Sequence, residues 1–166
     1  MSKKRGAFAV ALITAVVVGV NVVPSWAQDP PPPILAEPQS PRSVFPDAVD
    51  LKIKLKEDGG AMNVVNQGDP SRTVVVKYTV QPGAQFPWHS HAGPVVVNIV
   101  SGALTYVPAE DCANRTYNAG EAFVDPGHGH VHSAFNGGGV PTVFVATFFG
   151  APATGPLLIP AEPADC

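Results

Sequence analysis

One stretch reads Gly120-Glu121-Ala122-Phe123-Val124-Asp125-Pro126-Gly127-His128-Gly129-His130-Val131-His132-Ser133-Ala134-Phe135-Asn136, and an earlier one reads Gly83-Ala84-Gln85-Phe86-Pro87-Trp88-His89-Ser90-His91. The chain has five histidines, and all of them lie in these two stretches. In a strand, residues i and i+2 point to the same face, so His89 and His91 can bind one ion together. The same holds for His130 and His132. Neutral imidazole is a common ligand for zinc, iron, copper and nickel. Two such ligands on one strand hold a divalent ion weakly. A third from a partner strand makes the site selective and leaves positions open for water or substrate. A lone histidine in a β protein is more often a surface or hydrogen-bonded residue, so His-x-His alone is a weak signal.

Outward from these stretches the chain reads as β. Leu51, Ile53 and Leu55 alternate with Lys52, Lys54 and Lys56, which predicts a strand with one wet face. Residues 73–81 alternate again, with Val74, Val76, Tyr78 and Val80 on one side. Shorter strands are predicted over 86–91, 95–100, 103–107, 121–125, 131–136 and 142–149. Asp58-Gly59-Gly60, Gly68-Asp69-Pro70 and Pro82-Gly83 supply turns, and Gly102 marks a tight one. No segment after residue 27 has a 3.6-residue period of helical length. The fold class is all-β, and the pattern leaves both sandwich and barrel open.

The first histidine stretch reads Gly83-x5-His89-x-His91, with Gly102 following. The second reads Gly120 to Pro126, then Gly129-x2-His132-x3-Asn136. Together they resemble the paired motifs of the cupin superfamily, over about residues 51–149. The resemblance implies a double-stranded β-helix, a jelly-roll barrel with a divalent metal ion inside (Fe, Mn, Zn, Ni or Cu). Carried over position by position, it makes His89, His91 and His132 the ligands, with His130 the second choice for the last. Gly83, Gly102, Pro126, Gly129 and Asn136 match turn and packing positions.

The sequence departs from the family pattern twice. The glutamate ligand expected after His91 is missing, and Val95 or Val96 stands in its window, the spacing to Gly102 favouring Val95. Three neutral histidines with no carboxylate would leave the ion's full charge and favour anionic ligands such as a thiolate, carboxylate or enolate. An extra residue between Pro126 and Gly129 is what keeps His130 in view beside His132. His128 is expected in the turn, exposed. Trp88, Val95 and Phe123 are the pocket candidates, although core packing explains aromatics in a barrel equally well. Glu121 and Asp125 could act as a general base or an extra ligand, but are read as turn or surface carboxylates.

The start of the chain reads separately. Lys3, Lys4 and Arg5 precede an apolar run, and Pro24-Ser25-Trp26-Ala27 ends in small residues, the layout of a signal peptide cleaved after Ala27. The competing reading is an uncleaved anchor, which Asn21 interrupts. Prolines 30–33, 38, 41 and 46 make residues 28–50 an extended leader. The barrel is then 51–160, and 161–166 is a tail. In an exported protein Cys112 and Cys166 read as a disulfide tying that tail to the loop around Asp111.

The domain is expected to be periplasmic or extracellular, with no stable membrane insertion after cleavage. Beyond Ala27 the chain carries 7 Lys+Arg and 13 Asp+Glu, 7 − 13 = −6, with no basic cluster. That argues against nucleic acid as a partner. A small-molecule ligand is expected instead, and homodimerisation is a family-level expectation. Three functions stay open on this reading. They are a metal-dependent enzyme of oxygenase or isomerase type acting on a small anion, a non-catalytic module that captures a ligand or metal, and a barrel with vestigial histidines.

Overall fold

Apolar alternation decides which way each strand faces. Val74, Val76, Tyr78 and Val80 are all buried, and the residues between them are only half-buried. Thr142, Phe144, Ala146 and Phe148 repeat the pattern near the chain's end. Strands with one such face must bury it against a second sheet.

The computed structural model describes residues 33–56 and 62–166. The signal-peptide reading of residues 1–27, and the turn at Asp58-Gly59-Gly60, lie outside them. In chain order the strands are β1 (Ile34–Pro38), β2 (Ser43–Val44), β3 (Asp50–Lys56), β4 (Met62–Gly68) and β5 (Arg72–Val80). They continue with β6 (Gln85–Ser90), β7 (Val95–Ser101), β8 (Ala103–Pro108), β9 (Arg115–Asn118) and β10 (Ala122–Asp125). The last three are β11 (His132–Phe135), β12 (Thr142–Phe149) and β13 (Ile159–Pro160). One sheet runs β1-β5-β12-β7-β10, with β2 also on β5, and faces a second sheet running β13-β6-β11-β8-β9. All pairings are antiparallel. This is the jelly-roll arrangement. Strands β3 and β4 form a separate hairpin.

The core lies between the two large sheets. Val76, Tyr78, Phe144 and Ile99 from the first meet Phe86 and Leu104 from the second. Asn136 is fully buried at one end, and its amide donates to the carbonyls of Val80 and Val140 at 3.0 and 2.8 Å while its oxygen accepts from Gly138 N–H at 2.9 Å. A buried amide with both ends satisfied fixes the turn that follows β11. Gly102 turns at φ +72°, where a Cβ would lie 2.8 Å from Thr142 Oγ1. Glycine is required there both for the angle and for the space.

Two expectations need correction. The Pro-rich stretch is not a free leader throughout, because β1 pairs with β5 along its whole length, from Ile34↔Val80 to Pro38↔Val76. An edge strand tolerates proline, since one side of its backbone needs no ladder partner. Strands β4 and β9 were also not foreseen, since Asn63, Asn66 and Gln67 in β4 and the short Arg-Thr-Tyr-Asn run of β9 break the apolar alternation. They are strands because β3 and β8 pair with them.

The segment after β12, residues 150–166, is fastened at both ends. Arg42 donates to the carbonyls of Pro152 and Gly155, and Cys112 and Cys166 are joined with Cα atoms 5.5 Å apart. Between them β13 pairs with β6, Ile159 opposite Ser90 and Pro160 opposite His89. The disulfide closes a loop of sequence separation 54, which the chain-entropy account values at about 4 kcal/mol. Replacing both cysteines by serine is expected to lower the urea unfolding free energy by up to that amount. An unchanged midpoint would refute this account of the bridge.

Candidate metal centre

Three imidazoles converge inside the barrel. His89 on β6 is the direct cross-strand partner of His132 on β11, and His91 follows just past the end of β6. Their ring centroids are 4.9 Å (His89–His91), 4.3 Å (His89–His132) and 5.1 Å (His91–His132) apart. All three are buried, at 4 to 6% exposure. One ring nitrogen from each lies within 4.8 Å of the other two, a spacing that could hold a single ion.

The outer ring nitrogens explain the orientation. His89 Nδ1 lies 2.7 Å from the Pro87 carbonyl, and His91 Nδ1 lies 2.9 Å from the Leu157 carbonyl. A carbonyl only accepts, so Nδ1 carries the proton in both rings and Nε2 keeps its lone pair. His132 Nδ1 faces Asp125 Oδ2 at 3.0 Å and the His130 carbonyl at 3.3 Å. Such outer partners fix tautomer and aim in histidine metal sites. Burial lowers the His89 pKa to about 4, helped by the neighbouring His132 charge. Burial lowers His91 as well, against its hydrogen bond to Leu157. Both rings are therefore neutral near pH 7 and able to ligate. The donor set fits a borderline divalent transition ion.

Asp125 corrects the expectation of a site without a carboxylate. It is 1% exposed, not a surface or turn residue, and on the β10–β7 ladder it stands directly opposite Val95. The negative charge missing from β7 thus enters from the adjacent strand. Oδ1 accepts from Gly127 N–H at 2.8 Å, and Oδ2 accepts from Tyr106 O–H at 2.7 Å while facing His132. Its hydrogen bonds to His130 and His132 outweigh the effect of burial and hold its carboxyl far below the usual range. Glu121 serves the preceding turn, accepting from Asn118 N–H at 2.6 Å.

His130 lies outside the triad. Its Nδ1 is 3.2 Å from Asp125 Oδ2, and its Nε2 is 2.8 Å from Glu110 Oε1. Asp125, His130 and His132 form a second group close enough to hold an ion. His128 is exposed in the turn at φ +53°. Gly127 packs so closely on the His91–β7 turn that a Cβ would lie 2.0 Å from the Gly93 carbonyl oxygen.

Val95 and Phe123 line the cavity beside the triad, but Trp88 does not. The reason is a bulge. From His132 to Ala134 on β11, the partners on β6 are His89 and Phe86, three residues apart instead of two. One extra residue lets Phe86 and His89 both face inward and turns Trp88 outward, toward Val107, Phe135 and Cys166. The cavity itself is about 40 Å³, room for about three waters. Leu158 of the tail closes part of its wall.

The family profile described as Cupin domain matches residues 76–148. That segment is a cupin domain. Several solved structures resemble this cupin. The polyketide cyclase RemF from Streptomyces resistomycificus is 22% identical over 56% of this chain and 63% of that one, TM-score 0.46. An uncharacterized conserved protein with a double-stranded β-helix domain from Klebsiella pneumoniae is 26% identical over 45% and 61%, TM-score 0.41. An oxalate oxidase is 25% identical over 46% and 41%, TM-score 0.42. The cupin thus spans less than two thirds of each of these chains. No curated protein matches it.

His130 gives the metal-free protein a pH signature. Burial lowers its pKa, but hydrogen bonds and charge from Asp125 and Glu110 outweigh that and raise it to about 9. A folded pKa above the unfolded value near about 6.5 stabilises the fold fully below that pH, and the gain is lost as pH rises through about 9. The gap in unfolding free energy between wild type and His130→Gln should therefore be widest in mild acid and close in alkali. A gap that widens with pH would contradict the assignment.

Proposed function

We propose that His89, His91 and His132 hold one divalent transition-metal ion, and that this cupin is a metal-dependent enzyme of oxygenase or isomerase type acting on a small anion. The observation that carries the reading is the orientation of the triad, with each outer nitrogen engaged and each inner nitrogen turned toward a common point. An ion bound there would supply Lewis-acid or redox chemistry beside a largely carbon-walled cavity. The chain's own residues do the rest. Asp125 partly balances the ion's charge through His132, leaving the centre cationic and receptive to an anion. Phe148 stands edge-on to His91 at 5.3 Å, and Val95 fills the space where a fourth protein ligand would reduce the open positions.

One observation favours a second reading, a binding module without turnover. Both Asp125 oxygens are already engaged, so the cavity offers no free carboxylate base. The disulfide supports an exported, periplasmic or extracellular setting for either reading.

Elemental analysis of tag-free protein is expected to give about one metal per chain, as one such centre requires. Alanine at His89, His91 or His132 should abolish binding while the unfolding transition persists. Asp125→Asn keeps the shape and removes the charge, so it should weaken the metal by about 10–100-fold, the usual cost of losing an outer partner. Full metal occupancy in His91→Ala or His132→Ala refutes the centre. Turnover of small carboxylate or thiolate substrates by the metal-free protein refutes the metal dependence alone, and no turnover by the metal-loaded protein refutes the enzymatic reading.

A further inference from the structure

The cavity contains a polar group that the fold does not use. Tyr78 on β5 lines the same cavity as the triad and is 5% exposed. Its ring stacks on Phe144 at 5.0 Å and meets Phe86 edge-on at 5.6 Å. Among the described residues its hydroxyl makes no hydrogen bond. The other cavity tyrosine, Tyr106, donates to Asp125 instead. Burial alone raises the Tyr78 pKa to about 12, so the phenol stays a neutral donor at any physiological pH. The hydroxyl is not among the fully buried unpartnered side-chain atoms, so a ligand that accepts its hydrogen bond takes the place of water there.

The rest of the lining limits what such a ligand can be. Among the described residues no lysine or arginine faces the cavity, so a second anionic group would find no counter-ion among them away from the triad. The walls between Tyr78 and the histidines are carbon, from Phe86, Val97, Ala146 and Phe144 among others. A polyhydroxylated ligand would leave most of its hydroxyls unpaired there.

We propose that Tyr78 donates a hydrogen bond to the ligand, and that the ligand is a small monoanion with its charged group at the triad, a short hydrocarbon body and one neutral acceptor oxygen. This rests on the reading that the triad holds a metal. Specificity then comes from two ends, the charge at the metal and the acceptor at Tyr78.

The test uses metal-loaded full-length protein and acids that differ only by an ether oxygen in place of a methylene. The pairs are methoxyacetate with butanoate and 3-methoxypropanoate with pentanoate, with binding followed by calorimetry. In the wild type at least one ether acid should bind about tenfold more tightly than its partner, the contribution of one ordinary hydrogen bond. Tyr78→Phe keeps the ring and its aromatic contacts. It should erase that preference and leave metal content and butanoate affinity as they were. Equal affinities within both wild-type pairs overturn the proposal, as does a preference that survives in Tyr78→Phe. A protein that binds no metal overturns this proposal together with the metal centre, and its metal content identifies that case. One metal per chain without a Tyr78-dependent preference overturns this proposal alone.

Discussion

The cross-strand pairing of His89 with His132 is the contact on which the rest of the site depends. Two neighbouring strands of one sheet bring rings from distant parts of the chain within 4.3 Å of each other. That register is itself irregular. Without the extra residue at Pro87–Trp88, Phe86 and His89 could not both face inward, and the aromatic wall and the triad would lie on opposite sides of β6. The bulge lets one six-residue strand contribute both to the core and to the site.

Electrostatics completes what register begins. The three imidazoles would be a poor cluster if protonated, and burial keeps His89 and His91 neutral. Among the described residues Asp125 is the anion close to them, and Tyr106, Gly127 N–H and His132 hold it in place. On its far side His130 and Glu110 carry the hydrogen-bonded chain toward solvent. The centre is therefore neither bare nor symmetric, since of the three rings it is His132 that contacts Asp125.

Much of this was legible in the sequence, but unevenly. The strand alternation of β5 and β12 and the paired histidine motifs were sufficient for the all-β class and the cupin resemblance, because side-chain period and turn residues are local properties. Trp88 was misplaced because a bulge breaks that period, and nothing in Phe86-Pro87-Trp88-His89 announces one. Asp125 was misread as a surface carboxylate although the signal was present. It stands two residues from Phe123, a pocket candidate, and the same alternation turns both inward. Strand β1 was hidden by its neighbouring prolines, which describe an extended chain but not the edge it pairs with. Leu157 and Glu110 could not have been found, since their roles arise only from folding across the chain.

The Leu157 carbonyl that orients His91 lies 66 residues downstream of it. The acceptors for His89 and His132 lie much nearer in sequence, at Pro87 and Asp125. His91 thus takes its final aim only when the segment after β12 has crossed β6 and been locked by Cys166. A polypeptide stalled short of that docking would have its barrel strands and two aligned rings but a third free to swing. Completion of the triad is in this way a readout of global closure, because one of its three rings is aimed from outside the two sheets.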